Sequence, residues 1–271
     1  MKYSTKACKL VNAVTKINFK NLIIVFIAGT SVQVYAQGSH NWSGAYVGGA
    51  LSLVKGRATT NTSTTGPFTG SYFTSPDPTQ ISEVIGGDLK KTGVDVGGFA
   101  GFGQQFGNLY LGLEGGVSTL GLNDSRSRGA VYISNSAGKF ENRIKVKTNV
   151  QAMLRTRLGW TQERWIAYVS GGLAATYIKI NAKFTDNFLG AGAYGQSRNS
   201  QAKLGWTIGF GGEYALNKQW SLRGDYAFVD YGRIKASMDV KNPAFPTFGN
   251  EMTSSVKLRA QIISLGFVYR Y

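Results

Sequence analysis

The chain has 271 residues, 36 of them Gly, with one Cys, one His, and Lys plus Arg outnumbering Asp plus Glu by 30 to 14. One Cys excludes a disulfide scaffold and any cysteine-clustered zinc or iron–sulfur site, and one His leaves Ser–His–Asp chemistry resting on a single residue. Charged residues make up only 16%, against roughly 25% in an ordinary soluble domain, while 13% aromatics is too many for a disordered chain.

Residues 1–36 read as a secretory signal. Lys2, Lys6, Lys9, Lys16 and Lys20 precede an apolar run, Leu22-Ile23-Ile24-Val25-Phe26-Ile27-Ala28, and Val34-Tyr35-Ala36 ends in the small residues a signal peptidase reads. The run is too short for a membrane-spanning helix, which needs about 20 apolar residues. Cleavage is expected after Ala36, which removes Cys8 and leaves residues 37–271 with 25 cations against 14 acids.

The remainder alternates with period two. In 203–216, Leu204, Trp206, Ile208, Phe210, Tyr214 and Leu216 share one face, and Lys203, Gly205, Thr207, Gly209, Gly211 and Glu213 share the other. In 143–160, Ile144, Val146, Val150, Leu154, Leu158 and Trp160 fall on one parity, and Lys145, Lys147, Arg155 and Arg157 on the other. Such runs are long enough to cross a bilayer as tilted strands. Eight are expected, at 42–54, 93–106, 109–122, 143–160, 165–182, 203–216, 220–240 and 254–271. The connections alternate between short (107–108, 161–164, 217–219) and long (55–92, 123–142, 183–202, 241–253). That asymmetry predicts an all-β, eight-stranded antiparallel transmembrane β-barrel with four long extracellular loops, short periplasmic turns and both termini periplasmic. Trp42, Trp160, Trp165 and Trp220 all fall near the short-turn level, as an interfacial girdle requires.

The closing strand carries Ile263, Leu265, Phe267, Tyr269 and Tyr271 on one parity. It resembles the C-terminal strand, 263–271, that the barrel-assembly machinery binds as a partner in bacterial outer-membrane proteins. With the opening Trp42-Ser43-Gly44-Ala45-Tyr46-Val47-Gly48-Gly49, residues 42–271 resemble the small alpha-proteobacterial outer-membrane antigens. That family is opacity-protein-like, has an OmpA-type barrel and includes hemin-binding proteins. The resemblance implies a Gram-negative outer-membrane location, a surface-antigen role and hemin as a ligand, with no cofactor required.

Eight strands leave a lumen that side chains fill. Asp95, Glu114, Arg155, Arg157, Glu213, Arg223 and Asp225 are expected inside as a salt-bridged plug, with inward glycines making room, because unpaired buried ions cost several kcal/mol. A charge-lined, porin-like diffusion channel is the alternative. Lys257, Arg259 and Gln261 share parity with the apolar closing residues, which a β-bulge near Gln261 would reconcile.

Cations gather toward the long-loop side. Lys145, Lys147, Lys179, Lys183, Arg233, Lys235, Lys257 and Arg259 are expected to face lipopolysaccharide phosphates. Lys90, Lys91, Arg126, Arg128 and Arg143 add to the loops or rim, as contacts for an anion such as the heme propionates. Heme would also want an axial ligand. Tyr72, Tyr132 and Tyr194 are candidates and Met252 a weaker one, whereas His40 belongs to the periplasmic end. The first loop, 55–92, is Thr/Ser-rich, and Pro67, Pro76 and Pro78 point to irregular structure. Such loops are where a host-directed adhesin would make contact. No nucleic-acid motif accompanies the basic charge. No Gly-x-Ser-x-Gly elbow occurs in a strand–turn–helix context, so the expectation is a non-enzyme.

Overall fold

The structure, a computed structural model, describes residues 40–188 and 192–271. The expected signal segment lies outside the described residues. The strands are β1 (Gly44–Thr64), β2 (Gly87–Phe106), β3 (Leu109–Thr119), β4 (Asn123–Val131), β5 (Lys139–Gln162), β6 (Trp165–Asp186), β7 (Tyr194–Ala215), β8 (Trp220–Lys241) and β9 (Gly249–Arg270), with one helix, α1 (Asp77–Ile85).

All neighbours pair antiparallel in the order β3-β2-β1-β9-β8-β7-β6-β5-β4, and β3 also pairs with β5. That last pairing closes the sheet, because β3 and β4 are two halves of one strand interrupted at 120–122, both laid against β5. The result is an eight-stranded barrel. Closure satisfies the strand N–H and C=O groups that hydrocarbon cannot.

The strands are longer than the alternation alone suggests. Most of 55–92, expected as irregular loop, continues β1 to Thr64 and starts β2 at Gly87, with α1 between. Pro78 sits in the first turn of α1, where its missing N–H has no partner to lose. The other three extracellular loops shrink to 132–138, 187–193 and 242–248.

Two β-bulges set which side chains face outward. Between Thr148 and Gln151, two β5 residues oppose one on β6. Ile144, Val146 and Thr148 are therefore buried inside, whereas below the bulge Val150, Leu154 and Leu158 are exposed on the lipid face. The second bulge lies in β8 between Asp230 and Arg233, where Gly232 has φ +72°. The bulge expected near Gln261 is absent: β9 pairs with β1 in unbroken register from Arg270 to Met252, and Lys257, Arg259, Gln261 and Ile263 all point outward. The residues that share parity are kept there, and the partner strand absorbs the change.

Exposed apolar side chains form the outer belt. On β6 it runs from Trp165 to Tyr177, twelve steps that rise roughly 30 Å when tilted, enough for a hydrocarbon core. Trp160, Trp165 and Trp220 lie exposed at its lower edge. Trp42 does not join them. It is fully buried in the lumen mouth, where the Arg270 guanidinium lies 5.4 Å from its ring and donates to its carbonyl at 2.6 Å.

Candidate functional site

The lumen is filled twice. In its lower half, Glu114, Arg155, Arg157, Glu213, Arg223 and Asp225 converge from four strands. Arg223 reaches Glu114 at 2.5 Å and Asp225 at 3.1 Å. Arg155 bridges Glu114 at 2.8 Å and Asp225 at 3.0 Å. Arg157 contacts Glu213 at 2.6 Å and Glu114 at 3.4 Å, and its guanidinium carbon stacks 3.7 Å from the Tyr168 ring centroid. Tyr46 and Tyr168 donate to Glu114 and Asp225 at 3.1 and 2.7 Å. The tyrosines fit because glycines face them: a Cβ on Gly211 would sit 2.5 Å from the Tyr168 hydroxyl.

Arg270 joins this network through Glu213 at 3.4 Å, a member the sequence reading left out although its parity opposite Tyr269 places it inside. Asp95 is buried but stands apart from the arginines, accepting from the Gly121 N–H at 3.3 Å. Above the arginines is a cavity of about 80 Å³ lined by Ser52, Ser118, Gln151 and Ser264 among others, room for several waters.

The upper half of the lumen is apolar. Val54, Leu120, Ile144, Ile180, Phe184, Met238 and Met252 pack into one buried cluster. Met252 is thereby removed as a loop ligand. Ile81 and Ile85, four apart on α1, turn into the same cluster and stopper it.

The loop residues expected to bind a ligand hold this stopper. Arg128 donates to the carbonyls of Val84 and Gly86 at 3.2 and 3.0 Å, satisfying the last turn of α1. Arg126 donates to the Asp88 carbonyl at 2.8 Å. Gln80 donates to Val131 and accepts from the Ile133 N–H. Tyr72 and Tyr132 both donate to Asp186, at 3.0 and 2.8 Å, and Tyr132 is buried against Phe140. Burial, followed by the Asp186 carboxylate for Tyr132, holds both phenols above their ordinary pKa. Tyr72, Tyr132, Arg126 and Arg128 are thus internal fasteners rather than free loop ligands, because the first loop folds back into the barrel. Tyr194 is different: it is exposed, with the Lys183 ammonium 5.5 Å from its ring centroid.

Most of the other upper-half cations stand on the outside of the strand extensions. Arg143, Lys145, Lys147, Lys179 and Lys183 point outward from β5 and β6, and Lys90, Arg233, Lys235, Lys257 and Arg259 from β2, β8 and β9. Lys91, expected with Lys90 as a rim contact, falls on the opposite face, beside Gly56, Leu89 and Leu122, because neighbours on a strand alternate. Lys257 and Arg259 flank Asp230 at 3.4 and 2.9 Å. Arg57 pairs with Asp88, and that hydrogen bond, with Thr59's, holds the Asp88 carboxyl below the usual range. His40 lies at the opposite, short-turn end, 4.6 Å from Trp42.

A closed barrel of this kind, with a lipid-facing apolar belt and polar ends, matches a family model described as an outer membrane protein beta-barrel domain over residues 22–271. The chain belongs to the outer-membrane β-barrel family. This outer-membrane barrel is 34% identical over 206 residues to the 31 kDa outer-membrane immunogenic protein of Brucella melitensis, covering 74% of this chain and 76% of the relative. It is 24% identical over 155 residues to the 25 kDa outer-membrane immunogenic protein of Brucella ovis, covering 57% and 64%. Among solved structures it is similar to the outer membrane protein OprG of Pseudomonas aeruginosa, at 13% identity and TM-score 0.43, covering 86% of this chain and 98% of that one. The outer membrane protease OmpT of Escherichia coli is another, at 9% identity and TM-score 0.42, covering 87% and 99%. The barrel sits in the outer membrane and is similar to immunogenic surface proteins. Among the described residues, no group of three or more His, Cys, Asp and Glu side chains could hold a metal ion.

Proposed function

We propose that this barrel is a closed surface antigen that conducts nothing and binds an anionic ligand on its outer rim. The observation that carries the reading is the division of its charge. The lumen arginines are consumed in ion pairs, an apolar core and α1 block the bore above them, and cations such as Arg143, Lys145, Lys147, Lys179 and Lys183 face outward on the strand extensions. A porin-like channel would need a continuous wet path through both blocks.

Hemin is the ligand implied by the sequence resemblance. With Tyr72 and Tyr132 bound to Asp186, that reading rests on Tyr194 and on outward cations such as Lys183 for the propionates. A second reading, contact with a host surface, is favoured by Phe68, Ile133, Phe245 and Phe248, which are exposed at the extracellular tips. The deciding experiment is a hemin titration of the refolded barrel in detergent, followed by absorbance. Saturation near one equivalent that weakens in Tyr194→Phe and Lys183→Gln supports hemin capture. Non-saturating uptake that both variants leave unchanged removes it.

A further inference from the structure

The outward cations are not spread evenly around the rim. On β5, Arg143, Lys145 and Lys147 occupy consecutive outward positions. The register places Lys183 opposite Arg143 and Lys179 opposite Lys147, and Asn181 of β6 lies between Lys145 and Arg198 of β7. Like charges directly opposed across a sheet are destabilising, and here two such pairs are adjacent. Among the described residues, none of these six cations forms a salt bridge. The other side of the barrel also opposes like charges, Arg57 to both Lys90 and Arg259, and Arg233 to Lys257, but acids lie among them there: Asp230 takes Lys257 and Arg259, and Asp88 takes Arg57.

The position of the patch narrows what can fill it. Lys179 follows Tyr177, lying 5.7 Å from that ring centroid. Tyr177 is exposed at the top of the apolar belt, with Leu204 below it and Trp206 and Leu173 paired one further step down, all exposed. Successive outward residues on a strand are about 7 Å apart and neighbouring strands about 4.8 Å apart. The cations therefore cover roughly 14 by 10 Å directly above a lipid-facing surface. A ligand that fits must present several negative charges at that spacing and carry chains that lie on the wall beneath.

We propose that the outer faces of β5, β6 and β7 form a binding site for a phosphorylated glycolipid of the outer leaflet, held through Arg143, Lys145, Lys147, Lys179, Lys183 and Arg198. This assignment rests on the anion-binding reading above and gives it a place and a ligand class. The phosphates neutralise the opposed cations, and the acyl chains cover Leu173 and Leu204.

The test is binding of bis-phosphorylated lipid A to the refolded barrel in detergent micelles, with dephosphorylated lipid A, inorganic phosphate and hemin as comparison ligands. The variants are Lys147→Gln/Lys179→Gln/Lys183→Gln on the proposed face and Arg233→Gln/Lys235→Gln/Lys257→Gln on the other, each checked for heat-modifiable gel mobility. The proposal predicts saturable lipid A binding that falls at least about tenfold in the first triple and less than about twofold in the second. It predicts a comparable fall when the phosphates are removed, and no competition from equimolar inorganic phosphate. Equal weakening by both triples, or equal binding of the dephosphorylated lipid, overturns the assignment while leaving general anion binding intact. If neither lipid A nor hemin binds the wild-type barrel, both readings fall.

Discussion

Arg223 grips Glu114 through two nitrogens, Nη1 at 2.5 Å from one carboxylate oxygen and Nη2 at 3.1 Å from the other. Both residues are almost fully buried, and Glu114 also accepts from Arg155 and Arg157. One carboxylate thus organises three guanidinium groups across the bore. Removing Glu114 leaves the three guanidinium groups short of an acid, whereas removing Arg223 still leaves Glu114 with Arg155 and Arg157.

Glu114→Ala is accordingly expected to destabilise the barrel by about 3–5 kcal/mol, read as a lower midpoint for loss of heat-modifiable mobility in urea. Replacing Arg223 and Glu114 together with Met and Leu is expected to cost much less than the sum of the single changes, because no orphan charge of that pair remains. Additive losses would mean that the pair is not coupled.

The extracellular stopper depends on Asp186, which accepts from Tyr72, Tyr132 and the Ala193 N–H. Asp186→Ala strands all three donors and is expected to loosen loop 65–86 by about 2–4 kcal/mol, with the barrel intact. Limited proteolysis should then cut within 65–86 while the strands remain protected. Unchanged protection would show that α1 is held by its isoleucines alone.

The same two phenols give that loop a pH dependence. A phenol whose folded pKa lies above the unfolded value near 10 favours folding fully below pH 10, and the contribution fades as pH rises past it. Tyr72 and Tyr132 are both raised in this way, first by burial. Hydrogen exchange at 71–86 should therefore show constant protection up to about pH 10, after allowance for intrinsic rates, and loosen above it. Loosening between pH 7 and 9 would contradict the Tyr–Asp186 contacts.

The barrel itself was legible because eight amphipathic runs and alternating turn lengths leave few other closures. The facing of individual residues was legible only between bulges. Read with one unbroken parity, 143–160 puts Lys145 and Arg157 on the same face, yet Lys145 points out and Arg157 is buried. The extra residue between Thr148 and Gln151 separates them, and neither Asn149 nor Val150 carries a local signal for it. The stopper was hidden for another reason. Ile81 and Ile85 look like loop residues until the strands around them extend far enough to make a mouth that α1 can fill. Trp42 was misplaced because aromatic spacing marks a level in the membrane without saying whether the ring faces lipid or lumen.

The bulge also yields a prediction. Deleting Val150 removes the extra residue, so β5 can alternate without a bulge while Lys145 and Lys147 still face out and Arg155 and Arg157 still face in. No charged side chain is moved to the lipid face, where each costs about 2–4 kcal/mol at the bilayer midplane, so this variant is expected to refold with a heat-modifiable band. Loss of that band would show that the bulge itself, and not the facing it sets, is required.

The measurement that bears most directly on the account is conductance of the refolded barrel in a planar bilayer. The ion-paired lower lumen and the apolar upper lumen predict no unitary current in the wild type, nor in Asp186→Ala, where the arginine network still blocks the bore. Well-resolved channels in the wild type, changing in size when Arg155 is neutralised, would contradict it and return the function to the lumen.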